Sequence, residues 1–317
     1  MSGVFGSIRK LVFGIPAGET SFERRGFRGG SPEMRARLEK VGHAFVTGYH
    51  AALEDDRLEA LTRKLAGIEA DFSGFAFEGA AMGLALLDYL TPWRRDRVRT
   101  LLAGAGGIHA YMVHVGVGWL LARIPGRIEG RLERLDPLLR WLSVDGYGFH
   151  EGFFHWPQYL VGGKPAPQRL TGYARRAFDQ GLGRCLWFID GGDVTRIPQT
   201  VAALPPERHG DLWSGVGLAA VYAGEVSQEA LKQLRRTAGP FYPWLAQGAA
   251  FAAKARLRGG NSTAYTRLAC EALCGMSAEA AAQISDATLD NLPRAGAQPA
   301  YEVWRQRVQE RFRSGEA

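Results

Sequence analysis

Three carboxylates in this chain stand beside glycine in otherwise apolar runs: Phe77-Glu78-Gly79, His150-Glu151-Gly152 and Asp179-Gln180-Gly181. A carboxyl group withdrawn from water is pushed toward a neutral pKa, where it can give and take a proton. Glu78, Glu151 and Asp179 are therefore candidate acid–base groups, with His150 as a fourth. His114, Gln180 and Gln247 hold similar places next to Gly116, Gly181 and Gly248 and could orient a bound molecule. Phe77, Trp119, Phe149, Phe153, Trp187 and Trp213 are aromatic residues in the same segments and could wall an apolar pocket. The structural alternative is that each polar group caps or cross-links neighbouring helices, because a buried polar group needs a partner. Arg175 and Arg184 would then be the natural ion-pair partners.

Other chemistries fit less well. His150 and His155 in HEGFFH resemble the HExxH zinc pattern with one residue too many. At i, i+5 the two rings point about 140° apart on a helix and cannot share a zinc in the usual way. His109 and His114 have the same spacing, and no metal is expected; a site drawn from Glu78, His114, His150 and Glu151 on different helices is the remaining route to one. GGKPAP at Gly162 lacks the frame of a phosphate loop, GVGLAA at Gly215 follows no strand, and there is no GxSxG. The DDRLE run from Asp55 to Glu59 has charged flanks and reads as a solvated loop. Nothing identifies a cofactor.

The elements that position these residues are helices. Period-2 alternation is scarce and Asn-Gly or Asp-Gly turns are absent. Thr91-Pro92, Asp136-Pro137, Ser227 and Ser277 read as helix starts. Six segments share a polar or small residue followed by glycine, centred on Gly79, Gly116, Gly152, Gly181, Gly215 and Gly248. Successive spacings are 37, 36, 29, 34 and 33 residues, close to the period of a helical hairpin. A degenerate seventh copy lies at Gly48. Each glycine inside a helix costs about 1 kcal/mol against alanine. Close helix–helix approach, or a ligand against the backbone, must offset that cost. Arginine-rich segments such as RRDRVRTLLAGAG suit an outer layer around the glycine helices. The expectation is an all-α fold of helical hairpins of about 34 residues. Residues 1–30 form an extension and 31–317 one domain, with halves 31–156 and 173–317 joined through the Pro/Gly-rich stretch 157–172. Two halves of three hairpins can close into an α/α ring with a central cavity or remain an open solenoid.

Composition narrows the class. The chain of 317 residues is 46% hydrophobic with a formal charge of +7. Its basic residues (Arg94, Arg95, Arg97 and Arg99; Arg123, Arg127, Arg131 and Arg134) are scattered and diluted by Glu129 and Glu133. That pattern suits solvated helix faces rather than a nucleic-acid stripe. Three cysteines, Cys185, Cys270 and Cys274, form no disulfide framework and fit a reducing cytoplasm. The apolar run Leu11–Ile15 after Arg9 and Lys10 is too short for a signal peptide, and no stretch approaches the ~20 apolar residues of a membrane span.

Over nearly its whole length the chain resembles a bacterial family of unknown function, the UnbL-type enediyne biosynthesis proteins. The resemblance is carried by GIPAGETSFERRGF (14–27), FEGAAMGLALLD (77–88), HVGVGWLLARI (114–124), LDPLLRWLSVDGYGFHEGFF (135–154), RRAFDQGLGRCLWF (175–188), DLWSGVGLAAVYAG (211–224), LAQGAAFAAKAR (245–256) and AYEVWRQRV (300–308). It implies a neighbourhood of enediyne-type or related polyketide synthases and supplies no catalytic residues. The function expected from it is holding or processing a long, unsaturated, polyketide-derived chain in a helical cavity. The alternative is a non-catalytic scaffold that presents a helical-repeat surface to other biosynthetic proteins.

Overall fold

The computed structural model describes residues 2–94, 96–293 and 296–313. Arg95 of the first arginine-rich stretch lies outside them. Among the described residues the chain is all helical, with no strand.

The helices run in chain order as α1 (Ser2–Phe13), α2 (Phe22–Arg25), α3 (Pro32–Glu54), α4 (Leu58–Leu65), α5 (Ala70–Leu90), α6 (Arg97–Ala103), α7 (Ala110–Arg123), α8 (Glu129–Leu132) and α9 (Arg140–Trp156). After the segment 157–172 come α10 (Tyr173–Ile189), α11 (Arg196–Ala202), α12 (His209–Tyr222), α13 (Gln228–Ala238), α14 (Tyr242–Arg258), α15 (Ala264–Cys274), α16 (Ala278–Ala287) and α17 (Ala300–Arg313). Ser227 and Ser277 cap α13 and α16 by accepting from Ala230 and Ala280 N–H. Asp136 does the same for Leu138 and Leu139 in the turn that leads into α9. Thr91 departs from expectation. It closes α5, its hydroxyl donating to the Leu87 carbonyl, and the next helix begins only at Arg97.

The glycine-bearing helices α3, α5, α7, α9, α10, α12 and α14 pack each on the next in chain order, and α14 on α16. Their glycines lie where backbones touch. A Cβ on Gly181 would stand 1.9 Å from the Asp145 carbonyl oxygen, and one on Gly148 2.1 Å from that of Phe178. The α10–α12 and α12–α14 crossings are made the same way by Gly183 with Gly215 and Gly217 with Gly248. Gly48, the degenerate copy, meets the Ala76 carbonyl. Each middle helix carries Gly-x-Gly: Gly116/Gly118, Gly146/Gly148, Gly181/Gly183 and Gly215/Gly217. Positions two apart on a helix point about 200° apart, so one glycine seats the preceding helix and the other the following one.

This contact pattern shifts the register expected for α9. Its counterpart of Gly181 is Gly146, against the Val115 carbonyl, whereas Gly152 faces the Cys185 side chain. The residue before the first seating glycine in α9 is therefore Asp145, not Glu151.

α17 lies against α14 and α16. Arg305, fully buried on it, bonds Asp211 at 2.7 Å and Gln247 at 3.2 Å, while Glu302 pairs with Arg176 at 2.7 Å. The segment after α1 crosses the body elsewhere. Ile15 N–H donates to His50 at 3.1 Å, Phe27 packs on Phe153, and Arg28 reaches Asp190 at 2.7 Å.

Candidate functional site

An apolar cavity of about 60 Å³ lies among the inner helices. Its walls are Phe45 of α3, Phe75 of α5, Met112 and Trp119 of α7, Phe149 and Phe153 of α9, Phe188 of α10, and Leu218 and Tyr222 of α12. Ile15, Glu19 and Thr20 from the segment after α1 also line it. A second cavity of about 30 Å³ lies beyond Met112, Arg184, Leu218 and Tyr222, which line both spaces. Both are small beside the ~150 Å³ that holds benzene in an engineered apolar cavity, so any ligand must be slender and must move aromatic side chains.

Two charged residues line the first cavity deep in the protein, Glu78 and Arg184. Glu78 Oε1 accepts from the Trp119 indole N–H at 2.9 Å. Arg184 stands 4.0 Å from Glu78 but only 2.9 Å from Asp145, and it lies over the Phe149 ring. The Gln180 amide donates to Asp145 at 2.8 Å and to the Tyr301 hydroxyl at 3.2 Å. Burial pushes the Glu78 carboxyl up to about 7, against the pull of Arg184 and the Trp119 hydrogen bond. Burial raises Asp145 as well, opposed by the same arginine. Arg184 and Asp145 balance one another in charge, which leaves Glu78 as a carboxyl poised between its neutral and ionised forms at physiological pH. Such a group can donate a hydrogen bond or exchange a proton with a neutral molecule.

Of the expected wall residues, Trp119, Phe149 and Phe153 line this cavity. Phe77 does not; it stacks on His109 at 4.5 Å. Trp187 is fully buried against the glycines Gly192 and Gly224, and Trp213 is buried outside the cavity lining.

The remaining candidates are spread over separate networks. His150 stands edge-on to Trp119, accepts from Arg123 at 3.1 Å and shares a hydrogen bond with Glu151 at 3.2 Å. Burial lowers its pKa, the neighbouring Arg123 adding to the effect while Glu151 opposes it. Glu151 also accepts from the Tyr159 hydroxyl at 2.9 Å. Burial raises the Glu151 pKa, but the hydrogen bonds and charge of its neighbours outweigh that and hold it below the ordinary value. Asp179 is clasped by Arg208, three contacts between 2.6 and 3.1 Å, and burial raises it to about 6 against that arginine. His114 donates to the Ala110 carbonyl at 2.7 Å, and Gln247 accepts from Ser214 at 2.9 Å. His150 and Gln247 thus bond across neighbouring helices, whereas His114 bonds within its own helix. Among the described residues no three of His, Cys, Asp and Glu gather as a metal site; His150 and Glu151 bond each other, while Glu78 and His114 go to Trp119 and Ala110. Arg175 donates to the Leu170 carbonyl and takes no part.

Asp145, Phe45, Phe75, Met112, Phe188, Tyr222 and Tyr301 escaped sequence reasoning. Asp145 had a signal in the Gly146-Tyr147-Gly148 motif that follows it. Phe45 had a signal three residues on in Gly48, the degenerate copy, whereas the tyrosine of α17 comes from a helix outside the glycine pattern.

No curated protein and no solved structure matches the chain. A family described as "Protein of unknown function (DUF1702)" has a model that matches residues 4–312, and the chain belongs to that family.

Proposed function

We propose that this protein binds a slender, unsaturated, apolar chain in the cavity between α3 and α12, and that Glu78 acts on it as a general acid–base group. The observation that carries this reading is the buried Glu78 carboxyl, bonded to the Trp119 indole on an aromatic cavity wall, where burial pushes its pKa up to about 7. Unlike Asp145 and Asp179, each clasped by an arginine within 3 Å, Glu78 lines the cavity with its nearest arginine at 4.0 Å, which suits a proton-transferring group. The aromatic faces of Trp119, Phe149 and Phe153 suit a flat conjugated chain. The second cavity beyond Met112 and Tyr222 gives such a chain room to continue past Glu78 once those side chains turn. The resemblance to enediyne-associated proteins points to a polyketide-derived polyene, and the neutral balance of Arg184 with Asp145 suits an uncharged part of that chain at Glu78.

The test is a fluorescence titration with a linear conjugated polyene. Trp119 touches the cavity, so binding should quench the protein saturably at one ligand per chain. Trp119→Phe should lose most of that quenching, although seven other tryptophans remain. Glu151→Gln should titrate as the wild type does. Folded wild-type protein that shows no saturable change would overturn the reading.

A further inference from the structure

Among the described residues, α1 is docked through the side that carries Gly6, Arg9 and Lys10. A Cβ on Gly6 would lie 2.0 Å from the Glu54 carbonyl, Lys10 pairs with Glu54 at 2.6 Å, and Arg9 reaches Asp56 at 3.4 Å. At 100° per residue these three positions span about 100° of the helix. The opposite arc carries Phe5, Ile8, Leu11 and Val12, each more than half exposed. A second exposed patch stands beside it. Trp93, 83% exposed, follows Tyr89 and Leu90 at the end of α5. Asp56 brings the two segments near one another, pairing with Arg9 on α1 and, at 3.8 Å, with Arg94 next to Trp93. Single exposed apolar residues are ordinary; a contiguous set on adjoining elements marks an interaction surface.

The character of this surface selects its partner. It is made of aliphatic and aromatic side chains, of which Leu11 and Trp93 are the most exposed. α1 carries Arg9 and Lys10 and no acidic residue, Arg94 follows Trp93, and the whole chain is at +7. With 12 residues α1 is about 18 Å long, too short to cross a bilayer but suited to lie in its surface.

We propose that α1 and the Trp93 loop dock the protein on an anionic lipid surface, with Phe5, Ile8, Leu11 and Val12 in the acyl boundary and Trp93 at the headgroups. The docking stands apart from what the cavity holds, but the two connect. Ile15 lines both the central cavity and a surface groove formed with Lys10, Leu11, Pro16, His50 and Lys64. A docked α1 therefore sets that side of the cavity against lipid, where an apolar ligand would be dissolved.

The test is cosedimentation of the full chain with phosphatidylcholine vesicles, with and without about one third phosphatidylglycerol. Wild type should sediment with the anionic vesicles and be released by salt. Ile8→Glu/Leu11→Glu should weaken binding at least about tenfold while its circular dichroism stays unchanged, since both side chains are more than half exposed. Brominated lipids should quench Trp93 in the wild type, read as the quenching lost in Trp93→Phe. Absence of sedimentation, equal binding by the double variant, or no quenching of Trp93 would each overturn the proposal. A wild-type dimer that ignores vesicles and becomes monomeric in the double variant would assign the face to a second copy, and would overturn it too.

Discussion

Gly181→Ala is expected to destabilise the fold by about 3 kcal/mol or more, although alanine is the better helix former by about 1 kcal/mol. The added methyl would sit 1.9 Å from the Asp145 carbonyl oxygen and 2.7 Å from the Phe149 nitrogen. Both obstacles are backbone, so no side chain can swing aside; α9 and α10 must part, and the reciprocal seat at Gly148 is lost with them. Gly130→Ala supplies the contrast. Nothing lies within 4 Å of its added Cβ, and its backbone is helical, so the gain in chain stiffness should stabilise by about 0.5–1 kcal/mol. Urea unfolding of the two variants reads both signs. A Gly181→Ala protein within about 1 kcal/mol of wild type would mean that the helices are not seated backbone to backbone.

That crossing also marks what could be read in the sequence. The recurrence of glycine inside helical segments was legible, because its propensity cost demands an explanation. The caps at Ser227 and Ser277 were legible because they are local. Which glycine faces which neighbour was not, since that depends on the helices to either side. HEGFFH imitates the pattern at Gly152 and drew Glu151 into the place that Asp145 occupies. One residue step turns a side chain by 100°, which is why Glu78 reaches the cavity while Phe77 stacks on His109. Thr91-Pro92 carried a start signal, but the end of α5 used the threonine first. Arg184 could be named as an ion-pair partner from composition alone; that it would stand between Glu78 and Asp145 required three helices to be brought together.

Arg184→Met should cost about 3–5 kcal/mol, because it leaves the fully buried Asp145 without its countercharge. The Gln180 amide remains but carries no charge. Adding Asp145→Asn should recover much of the loss, since the double variant holds a thioether and a neutral amide at these positions and leaves no uncompensated ion there. Thermal and chemical unfolding of the single and double variants form a cycle that isolates the pair. If Arg184→Met alone is nearly neutral, the Asp145 contact is not the one that holds this cluster.

The central claim is that Glu78 is a carboxyl held near neutrality inside an apolar cavity, and the unfolding free energy of wild type against Glu78→Gln, followed with pH, tests it most directly. In the folded chain the Glu78 pKa is raised from the ordinary 4.5 to about 7. The folded state therefore binds this proton more tightly than the unfolded state does. The stability it contributes is full below about pH 4.5 and lost as pH rises through about 7. Glutamine imitates the neutral acid at every pH, while Asp145 and Asp179, whose pKa values are also raised, are common to both proteins and largely cancel. Wild type should lose roughly 3 kcal/mol relative to Glu78→Gln between pH 4.5 and 8, the size of a shift of two to three pKa units. A difference that stays flat across that range would contradict the account, because Glu78 would then titrate in the folded protein as it does in water.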